Sequence, residues 1–185
     1  MPRGKSPRLG AEALWDYALR TLSARAHSVA ELREKLRPRA ERAEDVAAVV
    51  ARLKEYGYLN DRRFAETFAV ARRDHQGFGR LRVLRDLRQR RVAPEVAERA
   101  VREAYRDADE SELIEKFLTR KYRKVVLAEW LADPKNLAAT YRRLRGAGFT
   151  AACILAVLRR YLRQSHHVET LESLAAEPDE LASEA

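Results

Sequence analysis

The chain has 185 residues, 46% of them hydrophobic, and carries 37 Lys and Arg against 28 Asp and Glu, a formal charge of +9. That is enough apolar material for a core, and 7 Gly and 6 Pro amid abundant Ala, Leu, Arg and Glu, with no run of alternating β-branched residues, predict an almost wholly helical protein. A lone cysteine excludes a disulfide framework, and the absence of a long apolar stretch excludes a signal peptide or a bilayer span, so a cytoplasmic protein without membrane contact is expected.

In chain order, residues 1–10, with two prolines and two glycines, read as a disordered basic arm. A first helix from about Ala11 to Ala26 puts Leu14, Trp15, Ala18, Leu19 and Leu22 on one stripe. Ser28-Val29-Ala30-Glu31 is a capping box that opens a second helix, and Pro38 stops it. A third, from about Glu44 to Tyr56, spaces Val46, Val49, Val50 and Leu53 helically before Gly57 offers a left-handed exit.

Asn60 or Asp61 caps the next helix, which carries Phe64, Ala65, Phe68 and Ala71 until Gln76-Gly77-Phe78-Gly79 breaks it. Another helix runs from about Arg80 to Arg90, and Pro94 starts one with Ala97, Ala100, Val101, Ala104 and Tyr105 inward. Asp109 and Glu112 form a cap pattern ahead of Leu113, Ile114, Phe117 and Leu118. Residues 125–133 have no counterpart elsewhere and read as an extension of that helix or an apolar connection. Asp133-Pro134 caps the following helix, Gly146 and Gly148 end it, and Thr150 caps the last, which buries Ile154, Val157, Leu158 and Tyr161 with Cys153 as a small core residue.

A leucine followed by arginine returns three times inside basic amphipathic segments, at 36/37, 87/88 and 144/145, separations of 51 and 57 residues. A period of that length holds three helices, so the expected fold is all-α, three tandem three-helix repeats stacked as an elongated, curved array. The boundaries are 11–59, 60–107 and 108–163, followed by a flexible acidic tail over 164–185. That tail has six acids and no Lys or Arg, so residues 1–163 hold all 37 basic groups and 22 acidic ones, a net charge of +15. A field of that sign attracts polyanions, nucleic acid above all.

Chemistry is harder to find. No nucleophile with a base, no carboxylate pair and no metal-ligand spacing stands out, so no catalytic, cofactor or metal residue is assigned. His27 and His75 sit alone at helix junctions, where a capping or surface role is expected, and His166-His167 opens the tail. Gly77 and Gly79 lack the strand, lysine and hydroxyl of a phosphate-cradling loop. The basic helices are more informative. Steps of 100° from Arg80 place Val83, Leu84 and Leu87 on one face and Arg82, Arg85 and Gln89 opposite, with Arg88 flanking. In the third repeat Arg142 and Arg143 face away from Leu137, Tyr141 and Leu144, with Arg145 alongside. Arg82, Arg85, Arg88, Arg142, Arg143 and Arg145 form the candidate partner-binding surface, because the guanidinium fork suits phosphate and carboxylate alike.

The run Tyr56-Gly57-Tyr58-Leu59-Asn60-Asp61-Arg62-Arg63-Phe64-Ala65-Glu66 resembles the signature joining the first two repeats of the RecX family. Gly79-Arg80-Leu81 with Leu84 and Leu87 resembles its second motif, and Gly148-Phe149-Thr150 the start of its last helix. The likeness covers about residues 11–163. Arg91 departs from it, standing where the family usually has glycine before a β-branched residue, and Asp86 replaces a common glutamate. The resemblance implies three triple-helix repeats with a basic interior surface, in a monomer that is not an enzyme. It further implies a regulator that lodges in the groove of the RecA filament on single-stranded DNA and suppresses its ATPase, strand-exchange and co-protease activities. The competing expectation from charge and helix pattern is a protein that binds single- or double-stranded DNA directly through helix-turn-helix-like modules.

Overall fold

A computed structural model of the chain describes residues 8–162; the acidic tail, the first seven residues of the basic arm and His166-His167 lie outside the described residues. Ten α-helices make up most of that span: α1 Ala11–Ala24, α2 Val29–Leu36, α3 Ala43–Glu55, α4 Asp61–Ala71, α5 Arg80–Gln89, α6 Pro94–Ala104, α7 Glu110–Lys121, α8 Leu127–Leu131, α9 Pro134–Gly146 and α10 Ala151–Tyr161. Among the described residues there is no strand, and no helix is long and apolar enough to cross a membrane.

The chain divides into two compact units. The first comprises the described residues up to Phe68 together with Leu87–Ala100, and the second comprises Ala69–Asp86 together with the described residues from Val101 onward. The division runs through α4, α5 and α6, so the middle set of three helices belongs wholly to neither.

In the first unit α1, α2 and α3 pack on one another around Leu14, Leu32, Leu36, Val50 and Leu53, all essentially inaccessible to solvent. Leu14, Val50 and Leu53 are positions that helical spacing put on one face. Burial of each large aliphatic side chain contributes on the order of 1.5–3 kcal/mol, which offsets the ordering of helices too short to persist alone. Leu9 is drawn into this unit. Its N–H donates to the Arg39 carbonyl at 2.6 Å and its carbonyl accepts from Glu41 N–H at 3.0 Å, so the last part of the expected arm is pinned beside Ala40.

The second unit packs α7, α8, α9 and α10 around Ile114, Leu118, Leu131, Leu137, Leu144, Phe149 and Ile154. Residues 125–133 form neither an extension of α7 nor a plain connection. Tyr122 ends α7, and α8 starts afresh at Leu127 to drive Leu131 into the core. Cys153 is half-buried against this core rather than within it. Thr150 stands at the start of α10, yet its hydroxyl does not cap that helix: it donates to the Glu110 carboxylate at 2.7 Å, and Thr150 N–H reaches the same carboxylate at 2.8 Å.

Candidate partner-binding surface

Helix starts carry orphan N–H groups that need acceptors, and the two units supply them differently. At the start of α2, Ser28 Oγ accepts from Glu31 N–H and the Glu31 carboxylate accepts from Ser28 N–H, each at 3.1 Å, which completes the predicted capping box. Ser28 also donates to the Arg90 carbonyl at 2.6 Å, while the Arg90 guanidinium reaches Glu31 at 3.0 Å and lies 4.9 Å from the Phe68 ring centroid. Asn60 accepts from Arg63 N–H at 3.0 Å and so caps α4, whereas Asp61 accepts from Val29 N–H at 2.8 Å and serves α2 instead. The two adjacent polar residues of the signature run thus cap two different helices.

Beside this junction His27 is buried, not exposed, and its Nδ1 lies 2.8 Å from the Arg25 carbonyl. Burial of the ring pushes its pKa below 6.5, and Nε2 has no hydrogen-bond partner among the described residues. Arg91 has φ +57°, the left-handed conformation that glycine adopts without strain. Its guanidinium pairs with Glu34.

At the start of α5 the acceptors are backbone carbonyls. Gly79 N–H donates to Ala147 O at 2.8 Å and Leu81 N–H to Gly148 O at 3.2 Å. A Cβ on Gly79 would overlap the Gly148 carbonyl, and a Cβ on Gly148 would overlap the backbone of Arg82. The glycines of two separate motif runs therefore meet each other, and only their bare backbones allow the contact.

This contact shapes a groove of about 540 Å³ in the second unit, lined among others by Phe78, Arg82, Phe117, Arg120, Lys121 and Arg143 and by no carboxylate. The π-helical turn Arg72–Gln76 that ends α4, with Gly77 at φ +64°, forms one wall. Arg120 of α7 donates to the carbonyls of His75 and Gln76 and holds that wall in place. Tyr105 donates to Phe78 O at 2.6 Å, and burial pushes its phenol pKa up, so it remains a donor.

The six arginines expected to form the surface divide into distinct roles. Arg82 does not face outward from its helix core: it is half-buried, pairs with Asp86 at 3.0 Å, donates to Gly146 O at 3.1 Å and lies 5.1 Å from the Phe78 ring centroid. Asp86 also lies 3.7 Å from Arg72, so its carboxylate joins α5 to the π-helical turn. Arg145 is half-buried and donates to Phe149 O at 3.1 Å. Arg88 belongs to the first unit and pairs with Glu98 at 3.4 Å. Arg143 is exposed, borders the groove and donates to the Tyr122 hydroxyl at 3.0 Å. Arg142 is exposed and Arg85 half-buried, and neither has an ion pair or hydrogen bond among the described residues. The structure thus brings Arg82 and Arg143 to one groove and leaves Arg88 in the other unit.

Sequence reasoning missed two cations that line the groove and an exposed aromatic cluster in the first unit. Arg120 and Lys121 fall at the end of α7, outside the repeated Leu-Arg segments. In the first unit, Tyr56 and Tyr58 are 59% and 56% exposed and stack at 6.3 Å beside Trp15, with the Arg52 guanidinium 4.1 Å from the Trp15 ring centroid. Trp15, which the helical stripe places inward, is half-buried and packs against the core of this unit, and the spacing of two tyrosines around a glycine is the signal for the cluster. Among the described residues no group of three His, Cys, Asp or Glu is placed to hold a metal.

Comparison with known proteins places this architecture. The family model described as the RecX first three-helix domain matches residues 15–53, and that of the RecX second three-helix domain matches residues 60–101. The regulatory protein RecX of Trichlorobacter lovleyi is 38% identical over 133 residues, 71% of this chain and 80% of that protein. Regulatory protein RecX of Escherichia coli is 36% identical over 132 residues, 66% of this chain and 78% of its own. The crystal structure of RecX from Lactobacillus salivarius superposes with a TM-score of 0.59 at 16% identity, covering 82% of this chain and 96% of that one, which is a likeness of fold. With both domain models matched in order and these relatives covered over most of their length, the chain belongs to the RecX family.

Proposed function

We propose that this protein is a regulator of homologous recombination and DNA repair that binds the RecA filament on single-stranded DNA and inhibits the ATPase, strand-exchange and co-protease activities of RecA. The observation that carries this reading is family membership at 38% identity over 80% of a RecX protein. A net charge of +15 on residues 1–163 and a groove without a lining carboxylate support it, because both favour an anionic partner surface. The protein acts in the cytoplasm, as a monomer, by binding rather than catalysis. Arg142 and Arg143 supply exposed guanidinium groups and Arg85 and Arg88 half-buried ones for the partner, while Arg82 and Arg145 hold the surface in shape.

Purified protein is expected to suppress the DNA-dependent ATPase of RecA at concentrations well below those that bind naked DNA in the same salt. Affinity for bare DNA falls on the order of a thousandfold between low and near-physiological salt if about six phosphates are neutralised, whereas a protein interface resists salt better. Replacing Arg85, Arg142 and Arg143 together with alanine weakens the inhibition and leaves the melting curve nearly unchanged. An unaffected RecA ATPase overturns the proposal. The second reading, direct binding of single-stranded DNA, is favoured by one feature: Phe78 and Phe117 line the groove among its cations, the combination that stacks bases while tracking phosphates. Binding of a bare oligonucleotide at lower concentration than RecA inhibition selects it.

A further inference from the structure

The two backbone hydrogen bonds that hold Leu9 beside Ala40 also fix the residue before it. Arg8 is thereby set against the junction of α2 and α3, where it lines an open hollow of about 550 Å³ in the first unit together with Arg33 and Arg37. The rest of the lining is small and apolar around Val46 and Ala47, apart from Glu41. All three arginines are exposed, and none has an ion pair or side-chain hydrogen bond among the described residues. Their neighbours are engaged: Arg39 lies 5.1 Å from the Tyr17 ring centroid, and Arg42 pairs with Glu44 at 3.4 Å. Glu41 shares the hollow yet pairs with none of the three.

Three unpaired guanidinium groups in one concavity repel one another unless an anion completes the set. Arg33 and Arg37 stand one helical turn apart, joined by the bond from Arg37 N–H to Arg33 O at 3.0 Å, and like charges at that spacing oppose each other. The C-terminal end of α2 favours a cation, which accounts for either of them singly. It does not account for Arg8, which lies outside any helix and is carried in by the Leu9 bridge.

We propose that this hollow binds the phosphate groups of a nucleic-acid strand, with Arg8, Arg33 and Arg37 as its donors. A carboxylate presents its two oxygens in one plane, which a single guanidinium fork satisfies. A phosphate carries its oxygens in tetrahedral directions and accepts from forks that approach from several sides. The hollow is also far larger than a lone phosphate, and its apolar lining around Val46 suits the attached sugar. None of its arginines belongs to the groove of the second unit, and the site does not depend on the RecA reading.

The test titrates the full chain with a deoxythymidine decamer while the backbone amide signals of Val46 and Ala47 are followed by NMR. Both signals are expected to move in the parent and to stay in place in the Arg8→Ala, Arg33→Ala, Arg37→Ala variant. In that variant the slope of log affinity against log salt becomes shallower by at least about 0.7, the share of one phosphate on a single strand. A control lacking three other exposed cations of the same unit, Arg20→Ala, Lys54→Ala, Arg99→Ala, keeps the slope of the parent. Thymidine monophosphate moves the two signals only at much higher concentration than the decamer. Stationary signals in the parent, or an equal loss of slope in both triple variants, overturn the proposal. So does a mononucleotide or a hexaglutamate peptide that moves the signals at lower concentration than the decamer. If the signals move as expected and the RecA ATPase is unaffected by the protein, the phosphate site stands and the RecA reading falls; stationary signals with an inhibited RecA mean the reverse.

Discussion

The starts of α2 and α5 present the same problem, buried N–H groups at a helix end, and meet it by opposite means. At α2 the acceptors are side chains, Ser28, Glu31 and Asp61, each written into the sequence as a residue type. At α5 they are carbonyls of Ala147 and Gly148, brought from more than sixty residues away, and the sequence records them only as two small residues. Side-chain caps tolerate neighbours of many shapes, whereas the backbone cap depends on two backbone segments approaching closer than any Cβ permits. The first unit therefore has a replaceable joint, and the second has one that admits no substitution.

The largest effect is expected where the comparison is sharpest. Gly79→Ala drives a methyl into the Gly148 carbonyl and lowers stability by about 3 kcal/mol, the upper end of overpacking costs, in denaturant titrations followed by Trp130 emission. An unchanged midpoint breaks the claim that this contact is a backbone one. Ser28→Ala removes a cap and strands the Arg90 carbonyl, a loss of about 2 kcal/mol read from Trp15 emission. Midpoints that move together at both tryptophans in both variants show that the two units unfold as one, and the contrast between them collapses.

Arg91→Gly acts in the opposite direction. It relieves a left-handed arginine at the loss of an exposed pair with Glu34, for a net gain of about 0.5–1 kcal/mol; a destabilised variant means that the ion pair outweighs the backbone strain. The last effect vanishes at neutral pH. His27 is held neutral by burial, with its folded pKa below the unfolded 6.5, so its contribution is intact above about 6.5 and lost as pH falls through the folded value. Below 6.5 the unfolded chain takes up the proton first, and stability of the first unit declines. His27→Gln should flatten that limb of the profile, and a limb of unchanged slope assigns it to other groups. No titratable side chain caps the start of α5, so the pH series also sets the two joints apart.

Much of the fold was legible because helical periodicity and caps are local. The stripes Leu14, Ala18 and Val46, Val50, Leu53, the box at Ser28 and the caps at Asp109 and Asp133 all depend on residues within a turn of one another. The candidate surface was legible only in part. Angular position on α5 places Arg82 away from Leu87, yet cannot reveal that the chain returns at Gly146 to claim its guanidinium. Nor can it show that Arg120 and Lys121 line the same groove as Arg143, since tertiary packing rather than sequence brings them there. Composition and spacing by themselves determined an all-helical chain of basic repeats, because each helix needs only its own turns to declare itself. Which arginines are clamped within the chain and which stay exposed was decided by tertiary structure alone, since a guanidinium is neutral in role until a distant carbonyl or carboxylate reaches it.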